Sequence, residues 1–267
     1  MYALAATTVS CRPETPPPVP VTVRAGLLLD GLGGQQRDAV ITIVNGRIRS
    51  IAPYRSDAVT HDLSGYTVLP GLIDAHVHIS GYFNRLGRVH TAGDGETPAQ
   101  EAAGRAGSAL ATLRGGFTTV ASMGTESDKL LRDAINAGAI PGPRILTSLS
   151  PASDADLSPR QLRGYLRRLK ARGADFVKIF ASSSVRTGGV PTFTARQLET
   201  LCDGARRRGL RAVVHAQSDA SVRMAAQAGC DEVEHGLLAS AEGIRTLAEH
   251  GVAFDPQCRL VLSNYLD

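Results

Sequence analysis

The sequence predicts an α/β fold, an incomplete (β/α)8 (TIM-type) barrel over residues 68–267, with a small β-sandwich-like subdomain at 21–67 and a tail at 1–20. Three observations predict it. From Leu69 onward, short apolar runs alternate with amphipathic helical stretches, which is the rhythm of a parallel sheet. Several of the helical stretches close on a glycine, as helix C-termini prefer. The first strand is not followed by the Gly-x-Gly-x-x-Gly turn of an open nucleotide-binding sheet, and this favours the barrel.

Taken in order, residues 1–20 (MYALAATTVSCRPETPPPVP) read as a disordered, proline-rich tail or as the remnant of an export signal around Cys11. The basic n-region is missing and the apolar segment is short, so a cytoplasmic location is favoured over an exported lipoprotein. From Val21 to about Tyr66, apolar and polar residues alternate in short runs, and Asn45-Gly46 between two of them signals a hairpin in a small antiparallel sheet. Barrel strands are expected at 70–78, 117–123, 144–149, 175–181, 211–216, 231–236 and 252–256. Helices are expected at 98–114, 128–137, 159–172, 194–208, 219–228 and 241–250, several ending at Gly115, Gly138, Gly173, Gly209 or Gly229. A closed barrel needs eight strands and about 250 residues. The sequence ends at Asp267 just after the seventh strand, so either a C-terminally truncated chain or an eighth strand supplied in some unusual way is expected, with open edges that favour self-association into a homo-oligomer.

Composition narrows the function classes. The chain is 43% hydrophobic and 20% charged, which suits a globular protein with a sizeable core, and no apolar run is long enough for a transmembrane segment. The net charge of +4 comes from arginines scattered over helical positions such as Arg167, Arg168, Arg206, Arg207 and Arg208, without interleaved aromatics, so no nucleic acid partner is expected. Cys11, Cys202, Cys230 and Cys258 are far apart and form no CxxC, so they are expected to be buried small residues and not a disulfide framework.

The chemistry is expected at the C-terminal ends of the barrel strands. In VLPGLIDAHVHIS, His76 and His78 stand at i and i+2 of a strand and therefore share a face, as a pair of nitrogen ligands would. In DFVKIF, Lys178 is a charge inside an apolar strand. It is either salt-bridged to an acid such as Asp175 or Glu234, or desolvated until its neutral amine takes up carbon dioxide and becomes a metal-bridging carbamate. His215 in VVHAQ and His235 in VEHG end the next two strands, whereas His61, His90 and His250 fall in loops or a helix.

These motifs resemble the metal-dependent amidohydrolase superfamily, in particular its imidazolonepropionase-like and prolidase-like members, and the resemblance covers nearly the whole chain after residue 20. It implies a hydrolase of carbon–nitrogen bonds, in non-peptide amides or Xaa-Pro dipeptide-like substrates, that uses a metal-bridging hydroxide on a small molecule. It implies a binuclear centre of two divalent ions, zinc by ligand type, held by His76, His78, Lys178, His215 and His235, with Lys178 carboxylated and with Lys178 and His215 in the catalytic roles. The family also uses a strand-eight aspartate to handle protons. No residue here matches it, and Asp255 in VAFDPQ stands on the seventh strand and is set aside. Two alternatives stay open: a mononuclear deaminase or imidazolonase, which would not need Lys178, and an inactive truncated metal-binding remnant.

Substrate choice is expected from loops. Tyr82 and His90 lie in the long loop 79–97 with Arg85 and Arg88, Arg186 lies in the segment 181–193, and Gln217 follows His215. All four of Tyr82, His90, Arg186 and Gln217 are candidates to contact substrate, with Arg186 suited to a carboxylate.

Overall fold

A computed structural model describes residues 19–257, so the expectations for the tail around Cys11 and for Cys258 lie outside the described residues. The chain divides between Pro70 and Gly71 into two compact units. The first is a single four-stranded sheet made of β1 (Val21–Leu29), β2 (Gln35–Val44), β3 (Arg47–Pro53) and β4 (His61–Val68), in the spatial order β3-β2-β1-β4. Asn45 and Gly46 both take positive φ, 52° and 68°, so the β2–β3 connection is the two-residue turn whose twist matches the strands it joins. Two expectations are corrected here. The sheet has no second layer among the described residues, so it is not a sandwich, and it is mixed, because β4 pairs with β1 in parallel. A return in parallel takes a longer excursion than a hairpin, and the segment from Tyr54 to Thr60 supplies it. At the irregularity between Ala25 and Leu27 the backbones close in so far that a Cβ on Gly26 would stand 2.0 Å from the Ser64 carbonyl oxygen. A small core of Ala25, Leu28, Ala39 and Ile41 covers one face.

The second unit alternates strand and helix in the predicted order: β5 (Leu72–Val77), α1 (Pro98–Arg114), β6 (Phe117–Ser122), α2 (Glu126–Asn136), β7 (Arg144–Thr147), α3 (Pro159–Ala171), β8 (Phe176–Phe180), α4 (Ala195–Arg206), β9 (Arg211–Ser218), α5 (Asp219–Gln227), β10 (Glu232–Leu238), α6 (Ala241–Glu249) and β11 (Ala253–Asp255). The seven strands of this unit pair in parallel and in sequence, β5-β6-β7 in one sheet and β8-β9-β10-β11 in another. Four hydrogen bonds join the two sheets. The Asp175 amide donates to the Thr147 carbonyl (2.9 Å) and the Asp175 carboxylate accepts from the Thr147 amide (2.9 Å); Ala152 donates to Lys178 and accepts from Phe180 (2.8 and 2.9 Å). The result is a wall of seven strands, and among the described residues β5 and β11 do not pair to close it.

Local chemistry explains the helix starts. Thr97, Ser158 and Thr194 each accept the amide of a glutamine three residues on, Gln100, Gln161 and Gln197, whose side chain returns a hydrogen bond to the cap backbone. Gly138, Gly173, Gly209 and Gly229 take the left-handed conformation after their helices, as predicted. Gly115 does not: it stays helical as the cap of α1, and Gly116 makes the turn at φ 91°.

The strands are two-faced. Val177, Ile179, Ala212, Val214 and Val233 point to the helices and pack with Leu162, Leu166, Leu198 and Leu201 in the main core. Phe176 and Val213 point to the opposite, inner face and pack with Met123. A further correction concerns the cysteines. Cys202 and Cys230 are buried as expected, but they form a disulfide between α4 and the residue two before β10. No helix among the described residues is long and apolar enough to cross a membrane.

Candidate metal centre

Strand alternation puts Lys178 on the inner face of β8, where it is 1% exposed and its amine has no hydrogen-bond partner among the described residues. Neither acid expected to neutralise it does so by hydrogen bonding. Asp175 is taken by Arg132 (2.8 Å) and the Thr147 amide, and Glu234 by His76. The Lys178 ammonium lies 5.8 Å from the centre of the Phe180 ring, and the Phe180 ring lies 5.3 Å from that of His215 on β9.

His76 is the last residue but one of β5 and His78 directly follows the strand, with ring centroids 5.7 Å apart. From the other side of the wall, the His235 ring comes to 5.2 Å from His76 and to 4.7 Å from His215. The structure thus brings together the four histidines that the sequence singled out. Burial is the first cause that pushes all four imidazoles down, to about 3 for His76, 4 for His215 and 3 for His235, with the Lys178 charge adding to it. Neutral rings are what a cation needs as ligands.

His235 arrives by an irregular route. Its φ is 74°, and the pairing of β10 with β9 shifts register after it. In a regular strand Glu234 and His235 would face opposite sides; the bulge turns both inward. Glu234 is fully buried, its Oε2 lies 2.5 Å from His76 Nδ1, and the same oxygen accepts the Gln257 side-chain amide at 3.0 Å. The sequence reading missed Glu234 as a site residue, because a period of two assigns it to the face away from His235. Burial raises the Glu234 carboxyl and lowers the Lys178 amine, each shift partly offset by the charge of the other.

Asp255, set aside on sequence grounds, stands beside Glu234 in register, and the carboxylates of Glu232, Glu234 and Asp255 converge to within 4.8 Å of one another. The fit of a metal can be judged from the residues themselves. Four imidazoles held toward their neutral form, His78 at the exposed rim and His76, His215 and His235 half-buried, form with the Lys178 amine and the unpartnered Glu234 Oε1 and His235 Nδ1 a donor set suited to divalent cations.

The substrate candidates fall on three different segments. Tyr82 is buried and stacks on His90 with 4.6 Å between centroids, its hydroxyl donates to Glu96, and His90 faces Asp94, Glu96 and Glu101 at 3.2–3.8 Å. Arg85 and Arg88 line a polar hollow of about 430 Å³ in the same loop, with Asn84 and Asp94. Arg186 sits on the 3-10 turn Val185–Thr187. Gln217 is buried, donates its amide to Ser182 Oγ (3.0 Å) and accepts from the Leu237 amide (3.4 Å), so it braces β9 against β10.

Comparison with known proteins agrees with this architecture. The sequence pattern of the amidohydrolase family matches residues 67–267. An uncharacterized protein of Mycobacterium tuberculosis (strain ATCC 25618 / H37Rv) is 29% identical over 232 residues, which are 85% of this chain but only 59% of that protein's length. Among solved structures, a Xaa-Pro dipeptidase with methionine bound in its active site superposes with a TM-score of 0.80 at 26% identity, covering 92% of this chain and 69% of that one. The ochratoxinase of A. niger superposes with a TM-score of 0.78 over 94% of this chain and 67% of its own; at 22% identity that likeness speaks to the fold, which is of TIM-barrel type.

Proposed function

The chain belongs to the amidohydrolase family through residues 67–267, and from that premise we propose that it is a metal-dependent hydrolase of a carbon–nitrogen bond in a small molecule, a non-peptide amide or an Xaa-Pro dipeptide-like substrate. The observation that carries the reading is the convergence of His76, His78, His215 and His235 in one cluster with the buried Lys178, whose amine has no hydrogen-bond partner among the described residues. His76 and His78 would hold one divalent ion and His215 and His235 a second, zinc being the ion that imidazoles and carboxylate-type oxygens suit. Lys178 would stand between them. Burial makes the ammonium more acidic, so it gives up one proton; the neutral amine then adds to carbon dioxide, a nitrogen–carbon bond forms, a second proton leaves the nitrogen, and an anionic carbamate would stand where a buried cation stood.

Bound divalent ions supply a Lewis acid for the carbonyl oxygen and acidify water toward neutral pH. The protein's own groups then act by position. The neutral rings keep their lone pairs for ligation, and the packed inner layer of Phe176, Val213 and Met123 keeps solvent from the base of the cluster. Arg186 from its turn and Gln217 from the end of β9 are the residues proposed to meet the substrate, with Tyr82 and His90 shaping the long loop.

Metal analysis of the reconstituted protein with intact mass measurement tests the reading. The expected result is close to two ions per chain and an added mass of one carbon dioxide at Lys178, with hydrolysis in an Xaa-Pro and N-acyl amide panel that is lost on chelation. One ion and an unmodified lysine would transfer the reading to a mononuclear deaminase or imidazolonase.

A further inference from the structure

We infer that Glu234 is a positioning residue that pins the His76 ring with its proton on Nδ1, so that the Nε2 lone pair is the one presented to a divalent cation. The inference rests on the metal-centre reading above and adds to its ligand set a residue that orients a ligand without being one. An imidazole can carry its proton on either nitrogen, and only the bare nitrogen can ligate. Which nitrogen is bare is decided by the partner of the other.

Here that partner is well defined. Glu234 Oε2 lies 2.5 Å from His76 Nδ1 across 158 residues of sequence, and Gln257 Nε2 donates to the same oxygen at 3.0 Å. Gln257 Nε2 can only donate, so Oε2 is already an acceptor, and we take it to accept from the ring as well, with the shared proton on Nδ1. Glu234 is fully buried and His76 nearly so, so water offers neither group a competing partner. The backbone supports the arrangement. The bulge at His235 brings Glu234 and His235 to the same interior, and His235 lies 5.2 Å from His76. One dipeptide on β10 therefore orients a ring of β5 through its carboxylate and offers a ring of its own beside it. Such carboxylate–imidazole contacts raise ligand basicity and fix ring orientation, and losing one lowers metal affinity by about 10–100-fold.

The experiment compares the full chain with Glu234→Leu, Gln257→Leu and Glu232→Gln, the last removing a neighbouring acidic charge that makes no contact with His76. Long-range proton–nitrogen correlation on metal-free, nitrogen-15-labelled protein reads the tautomer of His76, and competition with a chromophoric chelator reads zinc affinity. The expected result is an Nδ1–H tautomer in the parent chain and its loss in Glu234→Leu, with affinity down by about 10–100-fold. Gln257→Leu should give a smaller loss and Glu232→Gln should keep the tautomer. An Nε2–H tautomer in the parent chain would overturn the inference, as would a Glu234→Leu variant that keeps both tautomer and affinity. An equal loss in Glu232→Gln would overturn it too, since charge alone would then explain the effect. If Glu234→Leu does not fold, the parent tautomer and Gln257→Leu still decide. If the parent chain binds no divalent ion, the metal reading falls, while the tautomer comparison separately decides whether Glu234 pins the ring.

Discussion

At the scale of single residues, the site is built from groups held in forms they would not keep in water. The imidazoles of His76, His215 and His235 are pushed to about 3, 4 and 3 from an ordinary 6.5, chiefly by burial. A base whose folded value is depressed leaves the unfolded chain holding more protons as the pH falls, so the stability contributed by its neutral form is present above the unfolded value near 6.5 and is lost as pH drops toward the folded values. The raised Glu234 carboxyl works in the opposite direction below neutrality, but it is one group against three. Metal-free protein should therefore show a urea midpoint that falls steadily from pH 7 to pH 5. A flat profile over that interval would show that the rings are not neutral and buried together. Much of this cluster was legible in the sequence. His76 and His78 could be paired from their spacing, and Lys178 stood out as a charge in an apolar run. Glu234 could not be read, because only the positive φ of His235 gives it the same face as its neighbour.

At the scale of elements, the helix boundaries were legible where side chains write them. The Thr-Pro-Ala-Gln, Ser-Pro-Arg-Gln and Thr-Ala-Arg-Gln starts carry cap and return partner in four residues. Replacing Ser158 or Thr194 by Ala should cost about 1 kcal/mol each in chemical denaturation, with the sheet unaffected. The partner of a strand was less legible: nothing in the alternation of His61–Val68 names β1 as its neighbour or sets the direction parallel. Nor could Cys202 be matched to Cys230, since 28 residues and a helix–strand crossing separate them and proximity arises only once α4 packs beside the β10 approach. Closing a loop of that length is worth roughly 3–4 kcal/mol on the chain-entropy account. The thermal midpoint should therefore fall under reducing conditions, and Cys202→Ala with Cys230→Ala should show the same loss with no further response to reductant.

At the scale of the second unit, its seven strands run in sequential order, and this much followed from the strand–helix rhythm alone. The rhythm does not reveal that the wall is made of two sheets. Between β7 and β8 the ladder gives way to a few contacts at Thr147, Ala152 and Asp175, and Arg132 reaches across to the last of these. A wall with such a seam need not open as one piece. The amides of Ala152, Asp175 and Phe180 should exchange with deuterium sooner than those of Val213 and Val214 in the continuous part of the sheet. His76 and His78 travel with the block on one side of that seam, His215 and His235 with the block on the other. An ion on each pair, with Lys178 between them, would act as a rivet across the seam, so zinc should slow exchange at Ala152 and Asp175 although neither touches it.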